Sequence, residues 1–253
     1  MNLSFNPSLV KQYSSSSQKI RVLSENWVLN NGYCPKCGIN LSEYENNRPV
    51  ADFYCGTCNL DYELKSKENK LGNKINDGAY STMMEKITTK TNPSFFFLTY
   101  NKKDLVVHDL MIVPSYLFSE EIIEKRKPLS ETAKRAGWTG CNILYGMLPQ
   151  EAKIYYVQNG LVSSKSKVID DWNKISFIKD SNVQQKGWIL DIMQLINKLP
   201  KTFSLSDIYI FENYLKAKHP DNNNIKAKIR QQLQILRDKQ FIKFTSRGMY
   251  ETI

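Results

Sequence analysis

Apolar residues recur at helical spacing near the start of the chain, at strand spacing through its middle, and at helical spacing again towards its end. The serines at 14–17 lead into Ile20, Leu23 and Trp27, which predicts an N-terminal helix. From about residue 49 to 114 four short segments rich in Val, Ile, Leu, Phe and Tyr read as strands: RPVADFYC, LDYELKSK, PSFFFLTY and DLVVHDLMIVP. KIYYVQNG at 153–160 predicts one more. Between them NDGAYSTMMEKITTK reads as a helix with an apolar stripe of Ala79, Met83 and Ile87. Strands interleaved with helices predict a mixed α/β domain.

The pattern changes after residue 182. KGWILDIMQLINKL predicts a helix and TFSL a short extended piece. SDIYIFENYLKAKH predicts a second helix, with Ser206 and Asp207 as candidate caps. NNNIKAKIRQQLQILRDK predicts a third, and QFIKFTSRGMYETI a strand, a turn at Arg247–Gly248 and a strand. That order is a winged helix. The expected division is therefore 1–182 for the α/β domain and 183–253 for the winged helix, with the boundary in the polar stretch KDSNVQQKG.

Charge narrows the partner. The 253 residues carry a net charge of +10 with 41% hydrophobic residues, enough for a core and biased towards a polyanion. Residues 183–253 hold 12 Lys+Arg against 6 Asp+Glu, so +6 of the +10 lies in the predicted winged helix. No apolar run approaches the roughly 20 residues needed to cross a bilayer, and the N-terminus lacks a basic start followed by an apolar block. A cytoplasmic protein without a membrane partner is expected. No Gly-x-x-x-x-Gly-Lys-[Ser/Thr] loop occurs, so no nucleotide cofactor is expected, and no Gly-x-Ser-x-Gly elbow occurs either.

Cys34 and Cys37, then Cys55 and Cys58, form two Cys-x-x-Cys pairs, each with a glycine that eases a tight turn: CPKCG and CGTC. Four thiolates make a closed tetrahedral site, which predicts structural zinc. The fifth cysteine, Cys141, reads as a core residue, as do His108 and His219 as structural side chains.

The second knuckle is flanked by acids. Taking VADFYC and LDYELK as a hairpin, Glu63 and Lys65 point to one face and Asp52 on the other arm lies opposite. Carboxylates suit Mg²⁺, which prefers oxygen ligands and keeps several waters, and the carbonyl of Leu64 offers a further oxygen. Lys65 can stabilise an attacking hydroxide or charge on a phosphate. The arrangement resembles the PD-(D/E)xK nuclease motif, with the departure that the proline is not adjacent to the acid. A ββα-metal nuclease fits less well, because His108 and His219 are far apart in sequence.

On the third C-terminal helix, Ile225, Ile229, Leu233 and Leu236 share one face, and Arg230, Gln231, Gln234 and Arg237 occupy the opposite one. Arg and Gln read guanine and adenine bidentately in the major groove. Lys226, Lys228 and Lys243 are expected to meet phosphates, and Arg247 at the wing tip a minor groove.

The segments ENNRPVADFYC, ELKSK, INDGAY, FFFLTY, RAGWTGC and IRQQLQILRDK together resemble the Dpn I-type restriction endonucleases over nearly the whole chain. The resemblance implies a PD-(D/E)xK nuclease core with an embedded four-cysteine zinc site, followed by a winged helix. It implies a type IIM enzyme that hydrolyses double-stranded DNA at GATC carrying N6-methyladenine. It also makes Asp52, Glu63 and Lys65 catalytic and the four paired cysteines zinc ligands. An N6-methyl group projects into the major groove, so its reader needs an apolar or aromatic surface. Trp138, beside Lys134 and Arg135, is one candidate for that surface; Leu71 and Asn73 follow the catalytic strand in a loop expected to approach DNA. A monomer is compatible with the sequence, which does not fix the oligomeric state during cleavage. The competing expectation is a zinc-containing winged-helix regulator without nuclease activity; a third is a nuclease of the same fold with another target.

Overall fold

A computed structural model describes residues 1–44 and 51–253, and the chain divides into two compact units, 1–147 with 152–179 and 148–151 with 180–253. The first three residues of the expected strand RPVADFYC lie outside the described residues.

In the first unit, helix α1 (Ser16–Asn31) ends at Gly32 and buries Leu23, Trp27 and Val28. Strands β1 (Ser42–Glu43), β2 (Phe53–Cys55) and β3 (Leu60–Glu68) follow, then β4 (Ile75–Ala79), helix α2 (Tyr80–Thr89), β5 (Ser94–Asn101) and β6 (Val106–Val113). Next come β7 (Ile123–Lys125), β8 (Gly140–Ile143), β9 (Ile154–Gln158), β10 (Leu161–Val162) and helix α3 (Lys165–Ile175).

The main sheet runs β1-β2-β3-β5-β6-β9-β10, and β3 with β5 is its only parallel pair among the described residues. β5 is buried from Ser94 to Tyr100, as its unbroken apolar run demands of a strand covered on both faces. α1 packs on β3, and Ser24 Oγ lies 3.3 Å from Ser66 Oγ. A second sheet of three strands runs β4-β8-β7.

That second sheet corrects one expectation. The segment NDGAYSTMMEKITTK is not helical throughout: Asn76 to Ala79 belong to β4, and the helix begins at Tyr80. Ala79 is thus the cap residue of α2 rather than part of its stripe, whereas Met83 is buried as expected. β4 exists because Ile75 pairs with Ile143 and Asp77 with Cys141, across more than sixty residues of sequence. A local window cannot register such pairing.

The second unit contains α4 (Val183–Ile196), β11 (Thr202–Ser204), α5 (Leu205–Tyr209), α6 (Glu212–Lys218), α7 (Ile225–Asp238), β12 (Ile242–Ser246) and β13 (Met249–Thr252). Its sheet runs β11-β13-β12, and Gly248, at φ 76°, turns the β12–β13 hairpin. Asn182 and Gln185 close a capping box on α4, and Ser204 and Asp207 close another on α5. The cap is therefore Ser204, not Ser206; Asp207 is its third-position partner. The expected second helix is two short ones, because Phe211 adopts φ −87°, ψ 8° and interrupts the ladder. Ile208, Tyr209, Ile210 and Phe211, all β-branched or aromatic, resist helical continuation there. Among the described residues no helix is long and apolar enough to cross a membrane.

Candidate functional site

The β2–β3 hairpin carries two clusters of different chemistry. At its tip, Cys55 and Cys58 meet Cys34 and Cys37 from the loop after α1, with all four sulfurs within 4.8 Å of one another. The first loop is closed by Gly38 N–H donating to the Cys34 carbonyl and Cys34 N–H to that of Ile39, both at 2.8 Å. Gly38 sits at φ 75°, a backbone conformation that favours glycine. The second loop is closed by Asn59 N–H to the Cys55 carbonyl at 2.9 Å, with Cys58 N–H on the Cys55 sulfur at 3.4 Å.

Zn–S bonds of about 2.3 Å in a tetrahedron place sulfurs about 3.8 Å apart. Cys37 and Cys55 are 3.6 Å apart. The four cysteines therefore fit a single metal ion such as zinc. The Tyr62 hydroxyl donates to Cys34 Sγ at 3.1 Å and its ring lies against Phe96, tying the cluster to the buried centre of the sheet.

Further along the arms stands the second cluster. Asp52 immediately precedes β2, and its Oδ2 accepts the Leu64 N–H at 2.7 Å. Glu63 and Lys65 alternate with Leu64 on β3, and Lys65 Nζ meets Glu63 Oε1 at 2.5 Å. Lys65 Nζ also lies 5.8 Å from the centre of the Phe95 ring. Its second ionic partner is Asp77 on β4, from the other sheet, whose side chain is only 6% exposed.

Asp77 is the residue that sequence reasoning misses. Its segment reads as a helix, although the Asp-Gly pair it contains is a common mark of a break in regular structure. Cys141 is buried as expected, but not remote: it pairs with Asp77 across β4–β8, and its sulfur lies 3.6 Å from the Gly78 carbonyl. Burial pushes the Cys141 thiol up to about 12, and the charge of Asp77 adds to the effect.

Electrostatics of this cluster follow from an excess of acid. Burial raises the Glu63 carboxyl above its ordinary range, against the pull of Lys65 and with Asp77 and Asp52 adding to the rise. Burial alone would lower Lys65, but Glu63 and Asp77 outweigh it and hold the ammonium well above its usual value. Two carboxylates, Glu63 and Asp77, thus share one lysine, with the charge of Asp52 nearby. A cation is the complement such a site lacks.

Trp138 is half-buried beside Gly140 at the start of β8, with the Arg135 guanidinium 4.7 Å above its ring. It is therefore partly presented to solvent and not a sealed core residue. Leu71 is buried and its carbonyl accepts from Lys67 Nζ at 2.9 Å, which places its side chain in the core; Asn73 is exposed.

In the second unit, Ile225, Ile229, Leu233 and Leu236 of α7 are buried, and Arg230, Gln231, Gln234 and Arg237 are exposed, as is Arg247 at the wing. Arg230 donates to the Tyr209 hydroxyl at 2.8 Å, and Arg237 to Asp238 at 2.9 and 3.0 Å. Lys228 is half-buried, 6.0 Å from the Trp188 ring; Lys226 pairs with Glu212 at 3.3 Å and Lys243 with Glu251 at 3.0 Å. His219 is structural: its ring stacks on Trp188 at 3.9 Å and its Nε2 meets Asp191 at 2.7 Å.

Family models match both units. The model described as the Dam-replacing family matches residues 1–181, and the Dam-replacing HTH domain matches residues 184–252. Together they cover almost the whole chain and account for both a nuclease unit and a DNA-binding helical one. The chain belongs to the Dam-replacing, Dpn I-type family of methylation-dependent restriction endonucleases.

Proposed function

We propose that the first unit is a PD-(D/E)xK nuclease domain that hydrolyses phosphodiester bonds of double-stranded DNA at GATC containing N6-methyladenine. The observation that carries the chemistry is the convergence of Asp52, Glu63 and Lys65 on one stretch of β3, just past the point where its ladder with β2 ends at Tyr62. The GATC and N6-methyl specificity rests on the resemblance in sequence.

The donor set fits Mg²⁺. It consists of oxygens alone: one Asp52 oxygen beyond the Leu64 bond, the Glu63 carboxylate, and the Leu64 carbonyl. An extended residue turns its N–H and C=O to the same edge of the strand. Leu64 directs its N–H at Asp52, so its carbonyl faces that edge too. Magnesium held here would supply Lewis acidity and an activated water, which is the chemistry a phosphodiester needs. Asp52 and Glu63 hold the cation, and Lys65 presents a fixed positive charge to the attacked phosphate. The four-cysteine site, made of soft donors with no open position, holds zinc as a brace.

Binding is shared with the winged helix. Arg230, Gln231, Gln234 and Arg237 are proposed to read base edges in the major groove, with Lys228 on phosphate and Arg247 at the minor groove. Trp138 supplies an aromatic surface for the methyl group in the first unit.

Plasmids with methylated and unmethylated GATC, incubated with Mg²⁺ and either wild type or Lys65→Ala, test this reading. Cleavage is expected only of methylated DNA by the wild type. A wild type that binds methylated DNA and never cuts it would leave a DNA-binding regulator, and equal cutting of unmethylated DNA would remove the methyl requirement.

A further inference from the structure

Lys65 is the residue whose position the proposed reaction depends on most, since a fixed cation acts only where it is aimed. Two carboxylates hold its ammonium, and they differ in every respect that matters. Glu63 lies two residues away on the same strand, and its side chain is 24% exposed. Asp77 reaches across from the separate three-stranded sheet, and its side chain is 6% exposed.

The local backbone explains how Asp77 reaches. β4 and β8 are in register from Ile75 to Asp77, then slip, so that Ala79 pairs with Gly140. One extra residue, Gly78, is accommodated at the slip. Bulges bend a strand and re-aim the side chain beside them. Cys141 closes the site behind, with its sulfur on the Gly78 carbonyl at 3.6 Å and 4.0 Å from Asp77 Oδ2. A carboxylate this buried is costly without a cation partner, and the ion pair with Lys65 provides one.

We propose that Asp77 is a positioning residue for the proposed hydrolysis, anchoring the Lys65 ammonium from the second sheet so that Glu63 is left available to hold a cation. This inference rests on the nuclease reading above. With Glu63 as the sole anchor, one carboxylate would serve two cations; with Asp77 as a second anchor, the ammonium keeps a partner when Glu63 turns to the cation. The second sheet then acts as more than a flank, because it supplies the buried partner of the Lys65 ammonium. Asp77 itself touches no reacting atom.

The test is a double-mutant cycle on the full chain, using Lys65→Ala, Asp77→Asn and the double variant. Three quantities are read: single-turnover cleavage of methylated GATC duplex, binding of that duplex, and Tm. A misplaced catalytic group costs about 10²-fold. Asp77→Asn is expected to lower the single-turnover rate by about that factor while duplex binding stays within about twofold, and Asp77→Glu to restore part of the rate. In the Lys65→Ala background, Asp77→Asn is expected to add no further rate loss and to raise Tm, because it removes a buried carboxylate that Lys65→Ala has orphaned.

Full activity in Asp77→Asn, or losses that add in the double variant, would overturn the proposal. If Asp77→Asn alone fails to fold, the double variant and Asp77→Glu still give the Tm and rate comparison with Lys65→Ala. A wild type that cuts nothing would overturn the nuclease reading instead. The Tm cycle would then still decide whether Asp77 and Lys65 are coupled: additive Tm changes would overturn the anchoring as well.

Discussion

Two buried charge clusters, one in each unit, look alike by burial and differ in stoichiometry. In the first unit Asp77 is 6% and Lys65 21% exposed. In the second, Asp191 is 5%, Lys218 21% and His219 14% exposed. Asp191 is one carboxylate facing a lysine and a histidine, and the histidine is stacked flat on Trp188. Such a set is satisfied by its own members. In the first unit two carboxylates, Glu63 and Asp77, share a single lysine, Lys65, and the Asp52 charge is close enough to raise Glu63, within a chain whose net charge is +10. Negative charge concentrated against the sign of the whole molecule calls for a cation from outside. Burial of charge therefore does not identify a site; unbalanced charge does.

The largest effect expected concerns the brace beneath the unbalanced cluster. Binding at structural zinc sites is worth about 10 kcal/mol or more, and Cys58→Ser, or a chelator competing for the proposed zinc, weakens or removes it. Because Cys55 and Cys58 hold the tip of the hairpin whose arms bear Asp52 and Glu63, the first unit should lose its cooperative melting transition while α4 to α7 keep theirs. Metal analysis with circular dichroism checks this, with one zinc per chain expected in the wild type. An undisturbed melt after complete metal removal would show that the acids do not depend on the knuckle.

Next is the balanced cluster. Asp191→Ala breaks a buried pair, which costs about 3–5 kcal/mol. The second unit should melt far earlier, and cleavage by the first unit should keep its single-turnover rate at saturating DNA and low temperature. Lys65→Ala should do the reverse. Loss of one preorganised charge costs about 10²–10³-fold in rate. Because it leaves the Asp77 carboxylate buried without its cation, its Tm should fall as well, but the rate is the larger signal. If Asp191→Ala lowered the rate of the bound complex as much as Lys65→Ala, the distinction drawn from stoichiometry would collapse.

The contrast between the clusters also explains what could be read from sequence. The knuckles were legible because ligand spacing is local: Cys34 to Cys37 and Cys55 to Cys58 each form one turn. Glu63 and Lys65 were legible for the same reason, since alternation on a strand fixes their common face. Strand β5 was legible from its short unbroken apolar run, and the apolar face of α7 from helical periodicity. Asp77 was not legible. Its place depends on the pairing of β4 with β8 and on a register slip, both set by residues more than sixty positions away. Asp191 was missed on similar grounds: its partners Lys218 and His219 lie on and just past another helix. The division of the second helix at Phe211, and the capping role of Ser204, turn on backbone angles that propensity describes only on average.

The smallest effect separates the balanced cluster from the surface that meets DNA. Arg230 is exposed on α7 and is held by the Tyr209 hydroxyl at 2.8 Å, whereas Asp191 is buried against Lys218 and His219. Arg230→Ala should weaken binding of the methylated duplex by about 1–3 kcal/mol and relax preference at one base pair, without lowering Tm appreciably. Lys228→Ala should instead weaken binding of all sequences and reduce the salt slope by about one. Competition binding at two salt concentrations distinguishes the two. A Tyr209→Phe variant refines the point, because it removes only the hydroxyl that orients the guanidinium. A preference relaxed in both Arg230→Ala and Tyr209→Phe would place base reading on a tethered arginine. An unchanged preference in both would move that role to Gln231, Gln234 or Arg237, and the helix would then read DNA along its C-terminal half.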